Sequence, residues 1–321
     1  MADSKSVVVA ALISNAAIAV LKFGGFLLTG SAAMLSETFH SVSDTGNQVF
    51  LLIGLWYSNR EPDRQHPFGY GKAQFFYSLL VSVLLFGIAG WESARNGYNA
   101  LVHHEAHLVL GTVTIAGVTV PGIAINYAIL IGAMGFEGYA FTKAYHTMES
   151  EIDSHGWGGF AEAFRKTSEV STLTALTEDT IALSGLSIAL VGLTLTYLTG
   201  NPVFDGAAAL LIGVVLMGFA LALAWENKRL LLGESLPLAD ESRLREVIEQ
   251  WESVTRIADF RTVYFGPERV LVTADIAFDR DLDTAEMDEE ITAIERELQD
   301  ANPAVKKVYI EPEIEGSTQG L

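Results

Sequence analysis

Ser36-Glu37-Thr38-Phe39-His40-Ser41-Val42-Ser43-Asp44-Thr45-Gly46-Asn47-Gln48 lies inside a segment, Met34 to about Tyr57, that has the length and apolarity of a membrane-spanning helix. His40 and Asp44 are four residues apart, so on a helix they project from one face, one turn apart. The rest of the span, Val49 to Trp56, is apolar. An imidazole and a carboxylate at that depth are expensive to bury, which makes them a candidate functional site by default. Histidine with a carboxylate is also a common nitrogen and oxygen ligand pair for a divalent transition metal. A helix–helix hydrogen bond inside a bundle is the competing reading.

Composition supports a membrane domain followed by a soluble one. Half of the 321 residues are hydrophobic, and the mean hydropathy is +0.31. Residues 238–321 hold 21 acidic and 9 basic side chains, a net of −12 out of −19 for the whole chain. An apolar block with an acidic, mixed-pattern block after it gives domains of 1–230 and 238–321. The acidic surface opposes nucleic-acid binding and would attract cations. The absence of cysteine excludes disulfides, thiolate metal sites and thiol catalysis. The first apolar run lacks a basic flank and a small-residue cleavage site, so it reads as a retained span.

Six stretches are long enough to cross a bilayer, approximately 7–28, 34–57, 74–99, 122–146, 172–196 and 203–226. Lys5, then Arg60, Arg64 and Lys72, then Lys143, Arg165 and Lys166, then Lys228 and Arg229 all fall on one set of connections. The opposite connections, 29–33, 100–121 and 197–202, carry no Lys or Arg. The positive-inside rule puts both termini in the cytoplasm. In the 100–121 connection, His103, His104, Glu105 and His107 could hold a metal but read first as a solvated, adventitious cluster, and the Val/Thr/Ile run up to Pro121 predicts a small hairpin.

Beyond Pro237 the pattern is that of a small soluble fold. Asp240–Trp251 is a predicted helix with Leu244, Val247, Ile248 and Trp251 at helical spacing. Arg256–Phe265 and Arg269–Phe278 are predicted strands joined by a turn at Gly266-Pro267-Glu268, Thr284–Leu298 a second helix capped at Asp283 or Thr284, and Val305–Ile310 a third strand. The order αββαβ implies an open sheet with helices on one face, the ferredoxin-like layering.

A second deep acidic site, Glu178-Asp179, sits in the fifth span. His40 and Asp44 on one helix and Asp179 on another can close three sides of a tetrahedral ion site. Charged and unpartnered in hydrocarbon, each group costs several kcal/mol. A bound divalent cation, or protons in its absence, removes that cost, so competition between the two ions would couple metal movement to proton movement.

The chain resembles the cation diffusion facilitators. Carrying that resemblance are Ser36 to Asp44, the loop His66-Pro67-Phe68-Gly69-Tyr70-Gly71-Lys72, the Asp179 span, and Asn201-Pro202-Val203-Phe204-Asp205-Gly206. It is similar to the branch that contains the mitochondrial zinc exporter of animals. The resemblance implies an α-helical membrane protein with six transmembrane helices and a cytoplasmic ferredoxin-like αββαβ domain. It also implies a homodimer in the cytoplasmic membrane that exports a divalent metal, Zn2+ first and Co2+, Mn2+, Fe2+ or Cd2+ as alternatives, against H+ by alternating access. His40, Asp44 and Asp179 match the family's ligand positions; the His expected four residues before Asp179 is Ala175. Glu178, about 100° round the helix from Asp179, Glu137 in the fourth span, or water are candidate substitutes. Asp63 and His66 match a secondary site whose last His is Tyr70, and in the soluble domain the corresponding positions are Ala258, Asp275, Glu311 and Glu313, with no histidine. Carboxylates alone favour harder cations, so that domain reads mainly as a dimerising module. The alternative class, an intramembrane metal-dependent enzyme, lacks a His-Glu-x-x-His motif or a nucleophile pairing.

Overall fold

The computed structural model describes residues 2–102, 112–115, 117–155, 158–160 and 170–313. These fall into two compact units, one running to Val49 and from Val81 to Ala222, the other comprising Phe50–Leu80 and the chain from Leu223 onward.

The first unit is helical. Its elements are α1 (Ala2–Thr29), α2 (Ala32–Ser58, as far as Val49), the later part of α3 (Ala73–Leu84), α4 (Trp91–Val102), α5 (Gly122–His155), α6 (Val170–Thr199) and α7 (Val203–Leu232, as far as Ala222). Glycines end two of them. Gly30 and Gly200 take positive φ values of 67° and 68°, and their N–H groups donate to Phe26 and Thr196 carbonyls at 2.7 and 2.8 Å. That is the left-handed helix stop that a side chain would strain. Between α4 and α5, Thr112–Ile115 (β1) and Val118–Pro121 (β2) pair as the antiparallel hairpin the sequence predicts. The His103–His107 cluster lies outside the described residues.

Among the described residues, four helices are long and apolar enough to cross a membrane: Ala73–Val102, Gly122–Ser150, Glu178–Thr199 and Val203–Leu232. The first helix has a shorter apolar stretch, Asn15–Thr29, and α2 carries Glu37, His40 and Asp44 in its middle. Side chains such as Val20, Val191, Leu211 and Leu221 point outward and exposed, as a lipid-facing surface requires. The Ala73–Val102 stretch matches the expected 74–99 span and carries a local irregularity. A π-helical turn, Leu85–Gly90, separates α3 from α4. Gly90 within it packs on α7, where a Cβ would stand 2.6 Å from Met217 Cγ.

Small residues set the helix contacts. A Cβ at Gly97 would meet the Leu210 backbone nitrogen at 2.2 Å, and one at Gly213 the Ala94 nitrogen at 2.4 Å, so α4 and α7 touch backbone to backbone. The N-terminus of α2 is capped from α7. Asp205 accepts hydrogen bonds from Ser31 Oγ at 2.6 Å and from the Ala32 and Ala33 N–H groups at 2.5 and 3.4 Å, satisfying donors that the first helical turn leaves free.

In the second unit, α8 (Leu238–Glu249), β3 (Val254–Gly266), β4 (Arg269–Phe278), α9 (Thr284–Ala301) and β5 (Val305–Glu313) follow one another. The sheet order is β3-β4-β5, antiparallel then parallel, with α9 as the crossover. Val270, Val272, Ala274 and Ile276 alternate inward along β4 and meet Leu244, Ile248, Ile294 and Leu298 of the two helices. Asp283 caps α9: it accepts from the Ala285 and Glu286 N–H groups at 2.8 and 2.9 Å, and Glu286 reaches back to the Asp283 N–H at 3.0 Å.

Candidate functional site

One face of α2 is a polar stripe. Glu37, His40, Asp44 and Gln48 recur at three- and four-residue spacing, so they stack along the helix. His40 Nε2 stands 3.5 Å from Asp44 Oδ2. The imidazole is buried, while the Asp44 side chain keeps 37% of its exposure. Across from them, Glu178 on α6 accepts a hydrogen bond from Asn47 Nδ2 at 3.0 Å. Glu178 therefore faces α2. Asp179 is the next residue along α6. The structure thus brings Glu178 of α6 beside the α2 stripe that carries His40 and Asp44. Among the described residues, no three His, Asp or Glu side chains converge at metal-holding distance. The cluster is a loose one, with Glu178 engaged by Asn47.

Sequence reasoning missed the closest charged pair in this neighbourhood. Lys22 of α1 donates to Glu37 Oε2 at 2.7 Å, with 3% and 0% of the two side chains exposed. The other Glu37 oxygen, Oε1, has no hydrogen-bond partner among the described residues. The signal was present: a lysine inside an apolar span must find an acid, and the next span offers one. Gly185 of α6 lets this happen. A Cβ there would lie 2.6 Å from Glu37 Oε1 and 3.6 Å from His40 Nδ1.

The loop pair lies in the second unit. Both Asp63 and His66 are about half exposed, with His66 Nδ1 3.5 Å from Asp63 Oδ1. Asp63 acts as the hinge of a turn: Oδ1 accepts from the Gln65 and His66 N–H groups at 2.9 and 2.7 Å, and Oδ2 from the Tyr70 hydroxyl at 2.6 Å. The Tyr70 bond, followed by the His66 amide, holds the Asp63 carboxyl below the usual carboxylate range; the same bond raises the Tyr70 phenol. On the sheet, Asp275 pairs in register with Asp259 and with Glu311. Arg261 lies 2.5 Å from Asp259 and Arg256 lies 3.7 Å from Glu313.

The family model described as the cation efflux transmembrane domain matches residues 8–232, and that described as the cation efflux protein cytoplasmic domain matches 236–315. The chain belongs to the cation efflux family. Relatives of this cation efflux protein include the human "Proton-coupled zinc antiporter SLC30A9, mitochondrial", 31% identical over 273 residues, which are 85% of this chain and 46% of that protein. Metal tolerance protein C4 of Arabidopsis thaliana is 26% identical over 275 residues, 86% of this chain and 57% of its own length. Magnetosome protein MamM of Paramagnetospirillum magneticum is 31% identical over 110 residues, 33% of this chain and 35% of that protein. The chain thus spans about half the length of the first two. The buried stripe of α2 falls within the part that matches the efflux transmembrane domain.

Proposed function

We propose that this protein is an antiporter that moves divalent transition-metal ions, Zn2+ foremost, out of the cytoplasm in exchange for protons. The observation that carries the reading is the His40–Asp44 pair, 3.5 Å apart on a helix inside the bundle, with Glu178 facing that helix from α6. Ionisable groups from two helices then share a site that either the metal or protons can neutralise. The zinc-antiporter name of the human relative supports cargo and counter-ion. In this reading His40, Asp44 and Asp179 bind the ion in transit, Glu178 assists when Asn47 releases it, and Asp63 with His66 is at most a weak secondary site.

The same reading completes the architecture. The long helical stretches act as six membrane spans over residues 1–230, including α1 and the polar α2. Residues 238–321 form a ferredoxin-like domain that pairs two copies into a homodimer. Both termini lie in the cytoplasm, and the protein resides in the cytoplasmic membrane, rocking between inward-open and outward-open states. The αββαβ order and the basic connections on one side support these assignments.

The test is Zn2+ uptake into proteoliposomes under an imposed pH gradient. His40→Ala and Asp179→Ala are expected to lose most of the gradient-driven flux. Wild-type flux in both would remove the site assignment, and no flux in the wild type would remove the function.

A further inference from the structure

The Lys22–Glu37 pair has no obvious reason to exist for stability. Two buried charges cost desolvation energy, and packed apolar residues of similar size commonly serve a core as well or better. The pair is also only half satisfied. Glu37 Oε2 accepts from Lys22 Nζ at 2.7 Å, while Oε1, on a side chain with no exposure, is unpartnered among the described residues. That free oxygen points to the same spot on α6 as the His40 ring. A Cβ at Gly185 would sit 2.6 Å from Glu37 Oε1 and 3.6 Å from His40 Nδ1. His40 therefore stands between two carboxylates of its own helix, Asp44 on its Nε2 side and Glu37 towards Nδ1. Glu37 lies three residues, about 4.5 Å of helix rise, before His40.

We propose that Glu37 is a further ligand for the transported ion, and that Lys22 is a tethered cation occupying Glu37 when the ion is absent. An ammonium and a divalent metal are alternative partners for one buried carboxylate, so binding the metal at Glu37 means displacing Lys22, and the return of Lys22 favours release. This deepens the proposed function and rests on the α2 stripe being the metal's route.

The experiment is Zn2+ titration calorimetry on the purified full-length chain in detergent. Its arms are wild type, His40→Ala, Glu37→Gln, Lys22→Met, Lys22→Arg and the double variant Lys22→Met/Glu37→Gln. Removing the competitor should tighten binding about tenfold or more in Lys22→Met, and removing the ligand should weaken it by a similar factor in Glu37→Gln. Lys22→Arg, which keeps a cation in place, should stay near wild type. The double variant should bind more weakly than Lys22→Met, because the gain from removing Lys22 depends on the Glu37 carboxylate it vacates. Lys22→Met binding no tighter than wild type, or Glu37→Gln binding as wild type, overturns the proposal. If Lys22→Met does not fold, the double variant decides, since it buries no charge: weakened binding supports the proposal and wild-type affinity overturns it. Equal binding by His40→Ala and wild type would instead sink the reading of the stripe, whereas loss in His40→Ala with an unaltered Glu37→Gln sinks this inference alone.

Discussion

One added methyl group at Gly185 reaches the centre of the polar stripe. In Gly185→Ala the new Cβ would stand 2.6 Å from Glu37 Oε1, where ordinary contact begins at 3.4 Å, so the carboxylate must retreat by about 0.8 Å (3.4 − 2.6). Its other oxygen is held by Lys22 at 2.7 Å. A retreat of that size along the bond stretches it to about 3.5 Å, beyond the useful range of a hydrogen bond. Losing a hydrogen bond to a charged group costs about 1.5–3 kcal/mol. Replacing glycine by alanine inside a helix returns about 1 kcal/mol. Gly132→Ala isolates that second effect, because nothing lies within 4 Å of a Cβ there. The two variants should therefore differ by about 1.5–3 kcal/mol, read as a thermal unfolding midpoint in detergent several degrees lower for Gly185→Ala. Zinc binding should weaken in the same variant, since the methyl group fills the space beside Oε1. A midpoint for Gly185→Ala at or above that of Gly132→Ala would refute the placement of Glu37.

Gly97→Ala should destabilise by about 1–3 kcal/mol in the same unfolding assay, because its Cβ meets the Leu210 backbone at 2.2 Å and no rotamer change can relieve a backbone clash; stability equal to Gly132→Ala would show that α4 and α7 are not in backbone contact. Asp205→Ala removes the acceptor for Ser31, Ala32 and Ala33 and should cost about 2 kcal/mol, the upper range for a helix cap, with Asp205→Asn in between; an unchanged midpoint would mean α2 is capped elsewhere. Tyr70→Phe should raise the Asp63 pKa toward the ordinary carboxylate range in an NMR titration, because the Tyr70 hydroxyl is the first cause of its depression. A carboxyl depressed in the folded state stabilises the loop above its unfolded pKa and loses that contribution as the pH falls, so the variant should show a smaller acid-side loss of loop structure. An unmoved Asp63 titration would overturn the assignment.

What was legible in the sequence follows from periodicity. The αββαβ order could be read because β4 alternates Val270, Val272, Ala274 and Ile276, while Leu244, Ile248, Ile294 and Leu298 recur at helical spacing. Asp283 was readable as a cap because Glu286 follows three residues later. The long helices were readable from apolar length, but the π turn at Leu85–Gly90 was not, because its residues are as apolar as their neighbours and only Gly90 hints at the close approach to Met217. Counting spans by apolarity alone also understates α2, whose polar residues are the ones that carry the candidate site.

The site itself was half legible, and the missing half has a definite cause. Spacing along one helix relates residues that share a face, so His40 with Asp44 emerged at once. Partners on different helices depend on packing, which spacing does not encode: Glu178 turns to Asn47 of α2 although Asp179 is the residue that matches the family pattern. Lys22 went unread for a different reason. Basic residues mark membrane sidedness only in the connections between spans. A lysine within an apolar stretch carries the opposite message, because it cannot stay charged there without an acid. Glu37, three residues before His40 in the next helix, is that acid. Any scheme in which a divalent ion passes His40 must therefore account for the Lys22 ammonium held on Glu37, and Lys22 displaced from Glu37 is the simplest way for the two cations to share the stripe.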